Sequence, residues 1–195
     1  VMELLSGMLT EDTRVTTGVG NHQMFAAQYL ISLKPRSFLT SGGYGTMGFA
    51  LPTAIGAHYA NPTDTIISID GDGSLLMNLG ELFTVGKYQL PVKILLLNNH
   101  GDCMVRNIQD LMYGGAHVGT KKITDISFAH VGQEMGFSYS RRIDTRGELE
   151  QGLEDFITAE GPSFLEVVTD VDEMLYPRIP SGKGYKDMIL GPHME

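Results

Sequence analysis

The sequence predicts an α/β fold, a three-layer domain with a mainly parallel six-stranded sheet flanked by helices. Two observations lead there. Strand-like and helix-like patterns alternate along nearly the whole chain, which favours right-handed crossovers between parallel strands. Two strand candidates, 66–69 and 92–97, are apolar on both faces, as a sheet covered by helices on each side requires.

The elements follow in order. The opening "VMELLSGMLTEDTR" lacks the basic start and long apolar segment of a signal peptide and reads as a helix arriving from something upstream. Strand candidates lie at 14–17, 37–40, 65–70, 92–98, 138–141 and 164–169. Helical stretches lie between them at 22–33, 47–59, 78–88, 105–112, 126–135 and 146–159. Asp125 suits a helix N-cap, and Gly136 stands where a helix-ending glycine is expected. From Asp170 the chain turns irregular, with Pro177, Pro180 and "SGKG", a tail placed to cover a site or to pack on a partner. At 195 residues this is one domain, 1–195, with 170–195 as its tail.

Composition narrows the function. The net charge of −9, with no Lys/Arg cluster, argues against a nucleic-acid footprint or an anionic membrane surface. No apolar run reaches the length of a membrane span. Any bound phosphate must then be held by backbone amides or a metal. Cys103 is the only cysteine, which excludes a disulfide framework and suits a reducing compartment, the cytoplasm or, in a eukaryote, an organelle.

In an open α/β sheet, ligands bind beyond the carboxyl ends of the strands. Four loops there are rich in glycine or polar residues: "TGVGNHQ" at 17–23, "SGGYGTMG" at 41–48, "GDGS" at 71–74 and "NNHGD" at 98–102. Glycines let a backbone approach an anion, and a following helix start supplies free N–H donors. Asp72 and Asn99 offer a carboxylate and an amide oxygen, hard ligands suited to Mg²⁺ or Ca²⁺ rather than zinc. One backbone carbonyl, diphosphate oxygens and a water would complete an octahedral shell. Taken singly, Asp72 is also a common turn residue and Asn98-Asn99 a common polar loop. Their pairing at the ends of adjacent strand candidates favours the ligand role.

"GYGTMG", Gly43 to Gly48, competes as a dinucleotide fingerprint, with Asp70 at about the spacing of a ribose-binding acid. Against it stand a short preceding strand, Pro52 early in the following helix, and the acid and amides left without work. "SGKG" is no phosphate loop, because its Lys is followed by Gly and the upstream spacing is wrong. Without a motif, Met47 would read as core, His22 as a surface or capping group, and Cys103 as a small loop residue. The remaining histidines, His58, His100, His117, His130 and His193, have no ligand-like spacing.

Gly71-Asp72-Gly73, then 24 residues, then Asn98-Asn99 resembles the thiamine-diphosphate binding motif. "TTGVGNHQMFAAQY", "SGGYGTMGFALPTAIGA", "GDGSLLMNLGEL", "LLLNNHGDCMVR" and "YPRIPSGKGYKDMIL" extend the likeness to the C-terminal, diphosphate-binding domain of acetolactate (acetohydroxyacid) synthase catalytic subunits. The resemblance runs from about Leu9 to Leu190. It implies a thiamine-diphosphate-binding fold and an excised third domain, with the pyrimidine-binding and middle domains absent from this chain.

The implied reaction decarboxylates pyruvate and condenses the hydroxyethyl unit with a second 2-keto acid, using thiamine diphosphate and Mg²⁺ in a homodimer or homotetramer. By the same resemblance Asp72, Asn99 and the carbonyl of Gly101 hold Mg²⁺. Val19, Gly20, Asn21, His22, Gly71, Gly73 and Ser74 cradle the diphosphate. Met47 wedges the cofactor into its bent form, the Gly45 carbonyl receives the aminopyrimidine, and Met104 and Val105 line the thiazolium. Gly45 and Met47 are thus the catalytic assignments. The glutamate that activates the pyrimidine comes from the pyrimidine-binding domain of a partner subunit, and Glu81 is not that residue.

Three positions depart from the family pattern. Asn21 stands for the usual Gln, Cys103 for a common Gly, and Ile108 for the Trp that shapes the second keto acid's pocket in biosynthetic members. The last leaves room for a catabolic synthase or another carboligase or decarboxylase. A non-catalytic binding subunit and a dinucleotide-binding dehydrogenase are the other classes in competition.

Overall fold

The apolar runs at 65–71 and 92–98 become the two central strands, β3 (Thr65–Gly71) and β4 (Val92–Asn98), because both of their faces find helices to cover them. The computed structural model describes residues 1–121, 126–180 and 182–191. The remaining strands are β1 (Thr13–Thr17), β2 (Phe38–Thr40), β5 (Tyr139–Ile143) and β6 (Ser163–Val168). They form one sheet in the order β2-β1-β3-β4-β6-β5, and all its pairings are parallel. The expected six strands are therefore present, each within two residues of its predicted bounds.

Eight α-helices lie among the described residues: α1 (Met2–Met8), α2 (Asn21–Tyr29), α3 (Ala50–Ala60), α4 (Asp72–Leu76), α5 (Glu81–Tyr88), α6 (Cys103–Met112), α7 (Phe128–Glu134) and α8 (Leu149–Thr158). Helices α3, α5 and α7 cover the face bearing Ile66, Ile94, Leu96 and Phe164. Helices α1, α2 and α8 cover the opposite face, with Ile67, Ile69, Leu95, Leu97, Leu165 and Val167. Neighbouring strand residues thus divide between two cores, which is the two-residue period of a strand made visible.

The chain steps outward from β1 to β2, then crosses back over β1 to β3. The order in which strands are added reverses between β1 and β3, and the crevice above such a reversal is where open α/β sheets bind ligands. The loops after β1 and β3 flank it.

Several helix bounds differ from the expectation for local reasons. The stretch 22–33 stays helical only to Tyr29. The stretch 47–59 becomes helical only at Ala50, because Gly48 sits at φ +80 with its N–H on Ser74 Oγ and its carbonyl on Asn78 Nδ2. Pro52 falls in the first turn of α3, where its missing N–H is harmless. The stretch 78–88 becomes helical only at Glu81, and a short helix that was not expected, α4, starts directly at the end of β3. The N-cap of α7 is Ser127, whose hydroxyl accepts the His130 N–H, while Asp125 lies outside the described residues, as do Ser181 and His193. Gly136, at φ +88, ends α7 as expected, with the Phe137 N–H bonded back to the Gly132 carbonyl.

Strand β4 is less uniformly apolar than it reads. Lys93 is buried, its ammonium donating to the carbonyls of Ala159 and Gly161 just past α8. Burial lowers its pKa, and the carbonyls replace its water. At the other end of the sheet the tail crosses near α2 and α6, through Gln28–Pro177 and Arg106–Asp172 contacts.

Helix α5 passes so close to the end of α7 that a Cβ on Gly86 would lie 1.7 Å from the Met135 carbonyl oxygen. Alanine is the better helix former by about 1 kcal/mol. A clash with backbone outweighs that gain, since overpacking costs roughly 1–3 kcal/mol and here no flexible side chain can yield. Gly86→Ala is therefore expected to lower stability by roughly 1–2 kcal/mol in denaturant unfolding. A more stable variant would show that the two helices separate freely.

Candidate cofactor and metal site

Three loops meet above the β1/β3 reversal, and Ser74 joins them. Its Oγ accepts the Gly48 N–H at 2.9 Å and the Val19 N–H at 3.4 Å. Its own proton is left for Asp70, whose Oδ1 also accepts the Gly71 N–H at 3.1 Å. Asn78 adds a second tie to the Gly48 carbonyl, at 2.8 Å. The chain packs so closely here that a Cβ on Gly18 would fall 2.0 Å from Asp70 Oδ1 and 2.3 Å from Ser74 Oγ. Gly71 is equally constrained, with 2.6 Å to His22 Nδ1. These glycines are required by close approach.

His22 is the surprise of the cradle. It is no surface group: it is buried, with Nε2 3.5 Å from Asp70 Oδ1. Burial pushes its pKa down to about 3, against a smaller opposing effect of a hydrogen bond with the Gly18 backbone. Burial pushes Asp70 up to about 7, partly offset by its bonds from Ser74 and Gly71. Around neutrality the imidazole carries no charge, so this pair brings no fixed positive charge to an anion.

The second cluster lies at the ends of β3 and β4, whose register sets Gly71 beside Leu97. Asp72 is buried in the first turn of α4. Asn99 Oδ1 is a buried acceptor with no donor in reach among the described residues. Gly101 pairs with Lys121, and a Cβ there would meet the Thr120 carbonyl oxygen at 2.7 Å. Desolvation, then the negative charge of Asp72, raises the Cys103 thiol to about 11, which keeps it protonated and unreactive. That effect also places Asp72 close to the 101–103 loop. Among the described residues no group of three or more His, Cys, Asp or Glu could hold a metal. A cation here would draw on one carboxylate, one amide oxygen and main-chain carbonyls, the donor set of a hard ion that keeps ligand oxygens and water. The unsatisfied Asn99 oxygen fits that ion, and the glycine cradle fits a diphosphate.

A cavity of about 390 Å³ opens beside the cluster, between Asn21, His22 and Asn99 on one side and Thr169, Asp170 and Glu173 on the other. Asn21 accepts a hydrogen bond from Asn107 on α6 at 3.2 Å. Gly45, at φ +62, is exposed in the 41–48 loop, 3.9 Å from Val19 Cγ1 when given a Cβ. Met47 and Met104 are half-buried, and Val105 is exposed near the start of α6. Asp70, Asn78, Asn98, Asn107 and Glu166 take part in holding these loops without having been singled out for it. Asn98 carried a signal as half of the asparagine doublet, and Asp70 carried one that pointed to the wrong role, its spacing from the 43–48 glycines. Fully buried, it offers nothing to a ribose, and the 43–48 glycines follow the edge strand β2 rather than the strand at the reversal.

Residues 18–167 match the family model for the thiamine pyrophosphate enzyme, C-terminal TPP binding domain. The chain belongs to that family. Among curated relatives, it is 39% identical to the acetolactate synthase isozyme 2 large subunit of Escherichia coli (strain K12), over 97% of this chain and 34% of that protein. It is 41% identical to the mitochondrial acetolactate synthase of Schizosaccharomyces pombe, over 93% of this chain and 27% of the relative. Against the chloroplastic acetolactate synthase 1 of Nicotiana tabacum the identity is 39%, over 96% and 29% respectively. The chain thus spans about a third or less of these relatives' length. Family membership removes the dinucleotide assignment. No described helix is long and apolar enough to cross a membrane.

The buried His22–Asp70 pair makes a prediction for this thiamine pyrophosphate-binding domain. His22 is at about 3 folded against 6.5 unfolded, so its contribution is present above pH 6.5 and is lost as pH falls toward 3. Asp70 is at about 7 folded against 3.8 unfolded, so its contribution is present below pH 3.8 and is lost as pH rises toward 7. Between 3.8 and 6.5 the two slopes offset. Relative to wild type, Asp70→Asn is expected to lose stability as pH drops through that window. His22→Gln is expected to lose it as pH rises. Denaturant unfolding at a series of pH values checks both signs, and curves parallel to wild type would show that the pair titrates normally.

Proposed function

We propose that this chain is the diphosphate- and Mg²⁺-binding third domain of an acetolactate synthase-like enzyme. The parent reaction is decarboxylation of pyruvate and transfer of its two-carbon unit to a second 2-keto acid. The observation that carries the reading is the placing of Asp72 and the unsatisfied Asn99 oxygen at the ends of paired parallel strands, beside the Gly101 turn. Thiamine diphosphate, when bound, supplies the acidic carbon and the electron sink of this chemistry.

The chain's own residues bind and orient. Asp72, Asn99 and the Gly101 carbonyl would hold Mg²⁺. Val19, Gly20, Asn21, His22, Gly71, Gly73 and Ser74 would cradle the diphosphate, chiefly through backbone N–H groups. Neutral His22 can donate one hydrogen bond there without adding charge. Met47 would wedge the cofactor, the Gly45 carbonyl would accept from its aminopyrimidine, and Met104 and Val105 would line its thiazolium. The glutamate that activates the pyrimidine would come from a partner subunit's pyrimidine-binding domain, in a homodimer or homotetramer. Exposed Val105, Ile108, Leu111 and Met112 on α6 give such a partner an apolar face. The lone, buried and unreactive thiol suits a reducing compartment, cytoplasmic or organellar. Ile108, exposed where biosynthetic members have Trp, favours a catabolic synthase or another carboligase or decarboxylase as the second reading.

Calorimetry with thiamine diphosphate plus Mg²⁺, against NAD, tests the assignment: binding is expected for the first and none for the second. Asp72→Ala deletes the single anionic protein ligand and is expected to abolish Mg²⁺-dependent binding. Asn99→Ala is expected to weaken it less, since water can replace one neutral ligand. Equal cofactor affinity in wild type and Asp72→Ala would sink the metal site.

A second expectation concerns turnover. With pyruvate, thiamine diphosphate and Mg²⁺, the 195-residue chain alone is expected to form no acetolactate above the level given by free cofactor and metal. Adding a pyrimidine-binding domain in trans is the rescue. Enzymatic rates from the chain alone would place the activating base within it.

A further inference from the structure

Glu166 is fully buried in β6, in register with Leu96 of β4 and Arg142 of β5. A carboxylate taken out of water is tolerated only when its oxygens are matched by donors. Here Oε2 accepts the Ala129 N–H in the first turn of α7 at 2.9 Å. Oε1 accepts the Asn98 side-chain NH₂ at 2.7 Å, and the Arg142 guanidinium lies 3.7 Å from the same oxygen. Glu166 therefore fixes which way the Asn98 amide faces, with its NH₂ toward the acid and its oxygen away.

That oxygen accepts the main-chain N–H of His100 at 3.1 Å, closing a two-residue turn over Asn99. His100 sits at φ 56, in the left-handed region that few non-glycine residues enter and that histidine enters more readily than most. Asn98's own carbonyl is held by the Thr169 N–H at 2.9 Å. Asn99 thus stands between two tethered residues. On its far side the Asp102 N–H donates to the Thr120 carbonyl at 2.9 Å. The loop is clamped at both ends, and its one unsatisfied buried side-chain oxygen among the described residues is Asn99 Oδ1.

We infer that Glu166 and Asn98 are the positioning residues of the metal loop: the buried acid orients the Asn98 amide, which through the His100 N–H aims Asn99 Oδ1 and the Gly101 carbonyl. The inference rests on the metal role given above to Asp72, Asn99 and Gly101. It accounts for the asparagine doublet. The first amide builds the turn, and the second faces the cation. Filling space would need neither polar group, since an apolar pair of similar volume avoids the desolvation of a buried carboxylate.

The test uses the complete protein and two double variants that both remove the buried acid. Asn98→Leu with Glu166→Met deletes the tether to His100. Asn98→Ser with Glu166→Met keeps a short hydroxyl able to accept that N–H. Two quantities are read for each: the ligand-free unfolding midpoint, and the Mg²⁺ concentration for half-saturation, by calorimetry in excess thiamine diphosphate. Both variants leave the Ala129 N–H without its acceptor and are expected to share a lowered midpoint, yet the leucine variant is expected to need about tenfold more Mg²⁺ than wild type or more, the usual scale for losing a partner behind a ligand. The serine variant is expected to recover most of that loss at a similar midpoint. A leucine variant within about twofold of wild type, or two variants weakened equally, would overturn the inference. So would two variants that fail to fold, which would make the pair a core requirement. Wild-type protein that binds no Mg²⁺ under these conditions would instead refute the metal role itself.

Discussion

The parallel pairing of β3 with β4 is the constraint on which the rest of the structure depends. It runs from Ile66–Val92 to Gly71–Leu97 without a break, so both strands end at the same height and on the same edge. Two segments separated by a helical crossover are thereby delivered side by side: Asp72 on one, Asn99 and Gly101 on the other. A slip of one residue would turn every side chain of a strand to the opposite layer. Because the two faces carry separate apolar cores, such a slip would bury the wrong set in each. Hydrophobic packing thus fixes the position of polar groups that contribute nothing to it.

Around that edge the fold buries more polar and titratable groups than its core alone would explain. Asp70 and Asn98 lie at the ends of β3 and β4, His22 and Ser74 in the first turns of the helices that follow β1 and β3, and Glu166 within β6. Three of them are tied to backbone beyond their own element: Ser74 to the loops after β1 and β2, Glu166 to α7, Asn98 to the turn after β4. Polar groups withdrawn from water favour few arrangements, because any other leaves donors or acceptors unmatched. The result is a set of loops whose N–H and carbonyl groups are pinned by partners from other parts of the chain, which suits the site proposed for them. Lys93 shows the same rule at the opposite edge, where it serves only to close α8.

Much of the architecture was legible because its signals are local. Alternating patterns with doubly apolar runs are enough to specify a covered parallel sheet, and Gly136 marks the end of α7 by its own conformational freedom. The GDG triplet and the asparagine doublet declare a site because their residue types are poor core formers in places where a core strand ends. Helix starts were read less well. The stretch 47–59 reads as helical from its first residue, yet the helix waits until Ala50, because Gly48 is pinned by Ser74 and Asn78, partners 26 and 30 residues away.

By itself, the sequence determined the class of fold, the edge where the glycine-rich and polar loops gather, and the presence there of residue types suited to a hard cation and a diphosphate. Those follow from composition and spacing, which act over a few residues. Only the tertiary structure decided what stands behind them. That Asp70 is buried against His22 rather than offered to a ribose, and that Asn98 is turned by Glu166, depends on strands brought together from distant parts of the chain. The physical reason is desolvation. An Asp, a His or a Glu has one meaning in water and another at zero exposure, and exposure is a property of the packed sheet and its helices, which no short stretch of sequence carries.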